Sequence, residues 1–191
     1  MMWATNTRSD YSIAGSYMKY KLNQHQKASI SNNLIAFMDS REELSQESAA
    51  FIGNWILTDA SEKGKSYYDT WDMVLKSYMP FTRPVLYRSC NRRDDGKIAS
   101  FTESIRSAYK FSGNKGFLLI CDTEETLSLP GLQKCGDYRH TFFPISELLK
   151  KEAQSPSCKF SKSLIENYAK EGEYIMRVNL GWMYSCKWCH E

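Results

Sequence analysis

Apolar positions in the first half of the chain recur with the spacing of an α-helix. Those from Leu44 to Ile56 form one stripe, and Ser40 to Glu43 ahead of them have the spacing of a capping box. A second, aromatic stripe from Tyr67 to Tyr78 follows Ser66 and stops before Pro80, because proline cannot continue the helical hydrogen bonds. We predict two helices, starting near Ser40 and at Ser66, whose apolar stripes face the core.

The period changes after Pro84, where short β-prone runs alternate with helical stretches. We predict strands at 85–90, 98–101, 116–121, 174–178 and 180–188, and helices around 105–111, 146–152 and 161–169. Helices first and short strands behind them predict an α+β domain.

Length and charge limit the classes of protein that fit. The 191 residues correspond to one domain, and 42% of them are hydrophobic, which is enough to form its core. A net charge of +3 is too small for a dedicated DNA-binding protein, and a mean hydropathy of -0.53 argues against a membrane partner. We expect a loosely held polar arm at 1–25 and a single domain at 26–191, with a helical part at 26–80 and a β-rich catalytic part at 84–191.

The first ten residues contain no apolar stretch that fits a secretory signal, so we expect a cytoplasmic protein whose six cysteines are thiols. Cys186, Cys189 and His190 have the spacing of a c-type haem attachment site, but that attachment takes place in an exported compartment. Zinc would need a fourth ligand from a distant residue such as His140. We favour plain thiols and expect no metal.

Three polar features occur where a purely structural sequence seldom has them. Arg88 interrupts an apolar strand, hydroxyl residues cluster at 100–104, and Glu171 and Glu173 flank a glycine before a strand. Each one alone has an ordinary explanation: an edge arginine, a helix cap, or chance. Their order along the chain is what makes them informative.

That order resembles the arginine–serine–glutamate signature of mono-ADP-ribosyltransferases, and most of all the small Mod-type transferases of bacteriophages. Leu86-Tyr87-Arg88 resembles the aromatic-arginine strand of that family. The run from Ser100 to Ile105, followed by Ala108 and Phe111, resembles its hydroxyl motif, and Glu171 to Met176 looks like its glutamate motif.

The resemblance implies an ADP-ribosyltransferase-like fold, with N-terminal helices followed by a mixed or antiparallel β core of two sheets around an NAD+ cleft. It also implies transfer of ADP-ribose from NAD+ to arginine side chains of target proteins, with release of nicotinamide. For a phage protein, the targets would be host proteins in the host cytoplasm. NAD+ would be a substrate, and no metal would be needed.

The resemblance also implies a role for each residue. Arg88 would bind phosphate or ribose oxygens through its planar fork of donors, with Tyr87 and Phe111 also contacting NAD+. Glu173 would accept the ribose 2′-hydroxyl and stabilise the oxocarbenium-like transition state. Glu171, expected on the opposite side of the backbone, would orient and deprotonate the arginine acceptor, and Tyr168 would help to recognise the target.

The hydroxyl motif fits two frames, Ser100 with Thr102 or Thr102 with Ser104. We prefer the second, in which both hydroxyls hold Glu173 and the nicotinamide ribose. Ser89 stands where the family often has glycine. The serine side chain would crowd the ligand at this position.

Two alternatives to this function remain open. One is an inactive scaffold that binds a host protein. The other is a transferase acting on nucleic acid, for which the only hint is a basic group from Arg83 to Lys97 that Asp94 and Asp95 dilute.

Overall fold

The computed structural model describes residues 20–112, 115–128 and 141–188. Within these ranges the chain forms the following helices and strands: α1 (Gln24–Met38), α2 (Gln46–Leu57), α3 (Lys65–Ser77), β1 (Val85–Cys90), β2 (Ile98–Thr102), α4 (Ile105–Ser112), β3 (Phe117–Asp122), α5 (Thr123–Ser128), β4 (Phe142–Pro144), α6 (Ile145–Glu152), α7 (Lys162–Tyr168), β5 (Glu173–Arg177) and β6 (Tyr184–Lys187). This order confirms the α+β class. The strands and helices predicted after Pro84 are all present, while α1, α5 and β4 were not predicted.

The start near Ser40 that we predicted for the helix now labelled α2 is wrong. Ser40 follows the end of α1 and has a positive φ of 59°, which is not helical backbone. The N-cap of α2 is instead Ser45, whose Oγ accepts the N–H of Ser48 at 3.1 Å. The capping box at Ser40 therefore fails because the chain must first turn between α1 and α2.

The six strands of the described ranges belong to one sheet in the order β4-β5-β2-β1-β3-β6, and every pairing among them is antiparallel. The expected core of two sheets, mixed or antiparallel, is therefore corrected in its number of sheets: the described strands form one antiparallel sheet. The sheet has two halves, because β1 and β2 are paired only at Tyr87 and Thr102, whereas the other neighbours pair along four to six residues or, at β4, along three. This narrow connection, the seam, determines where the candidate site lies.

Two hydrophobic clusters form on the two faces of the strands. Along β2 and β5, Ile98 and Ile175 pack with the helices, while their neighbours Ala99 and Met176 belong to the other cluster. This alternation follows from the two-residue period of a strand. The second cluster also contains Leu119 of β3, so it joins the two halves of the sheet.

The described end of the N-terminal arm packs against the helices. Tyr20 stacks on Tyr67 with ring centroids 4.8 Å apart, and the backbone N–H of Leu22 donates to Ser66 Oγ at 3.0 Å. Residues 20–25 are thus held in place, and residues 1–19 of the expected arm lie outside the described ranges. None of the helices in these ranges has the length and apolar character needed to cross a membrane.

Candidate functional site

A cleft of about 690 Å³ lies at the seam and is lined by Arg88 on β1, Ser100 and Thr102 on β2, Glu171 just before β5, and Glu173 at the start of β5. These are the polar residues that the sequence separates by up to 85 positions, as 173 minus 88 gives. They meet because β2 lies between β1 and β5 in the sheet. The volume is within the range of about 300–1,000 Å³ that is usual for ligand pockets.

Arg88 is a half-buried cation without a carboxylate partner among the described residues. Its Nη1 donates to the backbone carbonyl of Ser100 at 2.6 Å, and the guanidinium lies 6.0 Å from the centroid of the Phe101 ring. Loss of hydration lowers the pKa of Arg88 from its ordinary value. Because burying an unpaired charge is unfavourable, this guanidinium is suited to an anionic ligand in the cleft.

Glu173 is held by donors from two different elements. One carboxylate oxygen, Oε1, accepts Ser100 Oγ at 2.6 Å and Trp55 Nε1 at 3.3 Å. The backbone N–H of Glu173 donates to Ser146 Oγ of α6 at 2.6 Å. The carboxylate is therefore fixed in position without an ion pair to any described lysine or arginine.

The preferred frame of the hydroxyl motif is corrected by these contacts. Ser100, not Thr102 or Ser104, bonds the Glu173 carboxylate. Thr102 Oγ1 instead donates to the backbone carbonyl of Glu171 at 2.7 Å, and Ser104 Oγ accepts the N–H of Ser107 at the start of α4. The physical reason is the strand register: Thr102 pairs with Glu173, and Ser100 lies diagonally across from it on the same face of β2.

Glu171 lines the same cleft as Glu173, and its expected position on the opposite side of the backbone stays a prediction. The glycine between them has a φ of +59°, and its carbonyl accepts the N–H of Glu103 at 3.3 Å. Burial raises the pKa of Glu171 from its ordinary value, and the charge of Glu173 raises it further. A carboxyl of this kind can exchange a proton closer to neutral pH.

Of the other residues predicted to bind NAD+ or the target, three line the cleft and one does not. Tyr87, Tyr168 and Phe111 are part of the lining, and Phe111 is 73% exposed. Tyr168 also supports the glutamate segment, because its carbonyl accepts the N–H of Glu171 at 3.2 Å. Ser104 is not part of the lining, since its hydroxyl caps α4.

Ser89 lines the cleft, but its hydroxyl is occupied elsewhere. It donates to the carbonyl of Ala108 at 2.6 Å and accepts Trp188 Nε1 at 3.2 Å. These bonds tie β1 to α4 and to the segment after β6. The Ser89 hydroxyl thus has a packing function of its own.

Sequence reasoning missed the contribution of the helical part to the site. Trp55 was predicted only as a core residue, and Lys63 was not considered, although its Nζ lies 3.9 Å from the centroid of the Trp55 ring. Loss of hydration lowers the pKa of Lys63, and the charge of Glu173 opposes that shift. The contact between Trp55 and Glu173 joins positions 118 residues apart, for which no local pattern gives a signal.

Arg92 and Lys97 also line the cleft and add positive charge near Arg88, with Asp94 3.9 Å from Lys97. Within the described residues no group of three or more His, Cys, Asp or Glu is arranged to hold a metal ion. Cys90, Cys158 and Cys186 are thiols. Cys189, His190 and His140, which were weighed as zinc ligands and not favoured, lie outside the described residues.

Comparison with protein-family models, with curated proteins and with solved structures finds no match for this chain. The functional argument therefore rests on the residues and geometry of the cleft.

Proposed function

We propose that the protein is an NAD+-dependent mono-ADP-ribosyltransferase that modifies arginine side chains of target proteins. The observation that supports this best is the pair of opposite charges in one cleft, Arg88 and Glu173, each bound to Ser100 and neither neutralised by an ion pair among the described residues. A ligand with anionic phosphates and a reacting centre that becomes positive would complement both. NAD+ has these two features in one molecule.

In this proposal Arg88 binds the phosphate end. A guanidinium offers a planar set of donors that can form two parallel hydrogen bonds with a phosphate, and it stays charged despite its lowered pKa. Arg92, on the same cleft, adds to the attraction for the dinucleotide, whereas Lys97 is paired with Asp94.

Glu173 acts at the nicotinamide ribose. The bond between C1′ and the pyridinium nitrogen breaks, nicotinamide leaves with the bonding electron pair, and positive charge develops on the ribose. The Glu173 carboxylate stabilises that charge and accepts the ribose 2′-hydroxyl, as carboxylates do in glycoside hydrolysis. Ser100 and Trp55 hold the carboxylate before the substrate arrives.

Glu171 acts on the acceptor. A terminal nitrogen of the target arginine forms the new bond to C1′, and the proton it loses passes to Glu171. The raised pKa of Glu171 favours this transfer, because a base whose pKa is nearer to the working pH is more effective. Tyr168 and the exposed Phe111 line the same cleft and would contact the acceptor or the dinucleotide.

The test uses purified protein, NAD+ and two peptides that differ only by arginine or lysine at one position, with mass spectrometry of the products. We expect ADP-ribose on the arginine peptide alone. Glu171→Gln should reduce that transfer at least about tenfold while slowing hydrolysis of NAD+ much less, because water needs less activation by a base than a guanidinium does.

Other outcomes would contradict the proposal. Equal modification of the lysine peptide would refute arginine specificity, and equal loss of transfer and hydrolysis would refute the role of Glu171. Binding of NAD+ without any turnover would support an inactive binding scaffold. Label appearing on added RNA or DNA rather than on the peptide would support a nucleic-acid acceptor.

A further inference from the structure

Trp55 brings the helical part of the molecule into direct contact with Glu173. The indole sits near the end of α2, is only 2% exposed, and directs its Nε1 donor at the carboxylate oxygen Oε1 from 3.3 Å. Ser100 Oγ donates to the same oxygen from β2 at 2.6 Å. Oε1 therefore receives two donors, while no described residue donates to the second oxygen, Oε2.

The indole ring is held in place by its neighbours. Trp71 and Tyr68 meet it edge to face, with centroids 5.6 Å and 6.1 Å away. Lys63 Nζ lies 3.9 Å from the centroid of the ring, which is the geometry of a cation–π contact. Because the ring is enclosed in this way, its N–H cannot easily turn away from Glu173.

We propose that Trp55 is a positioning residue that fixes the orientation of the Glu173 carboxylate, an inference that rests on the proposed function. A carboxylate held by Ser100 alone can rotate about its bond to Cγ. The second donor prevents this rotation, occupies Oε1, and leaves Oε2 to accept the ribose hydroxyl. Trp55 thereby contributes to the reaction through Glu173, without lining the cleft itself.

Trp71 offers a matched control for this idea. It belongs to the same aromatic cluster and is fully buried, but its Nε1 has no hydrogen-bond partner among the described residues. Trp55→Phe and Trp71→Phe remove the same atoms from the same core. Only Trp55→Phe removes a donor from Glu173.

The kinetic experiment measures kcat and KM for nicotinamide release from NAD+ at a temperature where both variants are folded. We expect Trp55→Phe to lower kcat about tenfold with little change in KM, because one hydrogen bond to a charged group is lost and the binding contacts remain. Trp71→Phe keeps an aromatic ring against the Trp55 indole and removes no donor from Glu173, so it should lower kcat far less than Trp55→Phe does. Equal kcat values for wild type and Trp55→Phe, or equal losses in both variants, would overturn the proposal.

A second measurement keeps Trp55 intact and does not depend on activity. In ¹⁵N-labelled protein, Glu173→Gln should shift the indole N–H resonance of Trp55 upfield, because a neutral amide is a weaker acceptor than a carboxylate, and should move that of Trp71 far less. An unmoved Trp55 resonance would overturn the contact. If the wild-type protein cleaves no NAD+ but Glu173→Gln still shifts the Trp55 resonance, the proposed function is refuted and the Trp55–Glu173 contact is supported.

Discussion

Ser100 is the residue on which the candidate site depends most. Its backbone carbonyl accepts the Arg88 guanidinium, and its side-chain hydroxyl donates to Glu173, so one residue of β2 contacts both charged groups. A neutral residue between them satisfies each charge without joining the two in an ion pair. Both charges consequently remain available to a ligand.

The cleft changes the pKa of the Glu171 carboxyl group. Burial, and secondarily the charge of Glu173, raises the pKa of Glu171 in the folded protein above the ordinary value of 4.5. In the pH window above 4.5 the folded state therefore binds more protons than the unfolded state at this position. Stability falls as the pH rises through that window, and at neutral pH the ionised carboxylate destabilises the fold.

We predict that Glu171→Gln raises the melting temperature at pH 7.5 by about 1–2 °C, a modest value because the side chain is partly exposed and screened. The gain should vanish as the pH falls below 4.5, where the wild-type carboxyl is protonated in both states. Thermal unfolding at a series of pH values measures this.

The control for this prediction is Glu166→Gln, which removes a 57% exposed carboxylate on α7. It should change the melting temperature little at either pH. A gain for Glu171→Gln that persists at acidic pH would show that removal of charge is not its cause.

Among the elements, the turn into β5 does most to place the carboxylates. Gly172 has a φ of +59°, and a Cβ built on it would lie 2.8 Å from Glu103 Cγ. Glu103 is itself bonded to Tyr174, whose hydroxyl donates to its Oε2 at 3.0 Å. The turn thus requires glycine for both backbone conformation and space.

We predict that Gly172→Ala lowers the free energy of unfolding by about 1–3 kcal/mol, because a non-glycine residue is strained at this φ and its methyl group meets Glu103. Denaturant unfolding gives the value. Gly53→Ala is the matched control: Gly53 lies inside α2 with open space around it, so the same substitution should stabilise by about 0.5–1 kcal/mol. Stabilisation by both substitutions would contradict the description of the turn.

The elements also show what sequence patterns can predict. The strand from Val85 and the helices α4, α6 and α7 were predictable because β-prone runs, turn signals and apolar stripes are local properties. The start of α2 was not, since Ser40 and Ser45 both suit an N-cap and only the turn after α1 decides between them.

The same distinction applies to the candidate site. Arg88 and Glu173 were found because charged residues stand out in apolar strands, whereas the choice of Ser100 over Ser104 depended on how β2 pairs with β5. Register of that kind is set by the whole sheet. Trp55 gave no signal at all, because a tryptophan on an apolar helical stripe has the same appearance whether or not its N–H is used.

At the scale of the whole molecule, the residues of the candidate site come from both halves of the sheet and from the helical part. The seam between the two halves of the sheet brings Arg88 and Thr102 to one cleft, and the helical part supplies Trp55 from a third direction. Arg177 of β5 and Asp72 of α3 form an ion pair that ties helices and sheet together. The cleft therefore depends on the packing of the entire domain.

The most direct test of the central claim is the rate of nicotinamide release from NAD+ by the purified wild-type protein and by Glu173→Gln, with Glu166→Gln as the control. The substitution at Glu173 keeps the volume and removes the charge, so we predict turnover by the wild type and the control and a loss of about 100-fold or more in Glu173→Gln, with an unchanged melting curve. Release of nicotinamide by Glu173→Gln at the wild-type rate, or none by the wild type, would contradict the account.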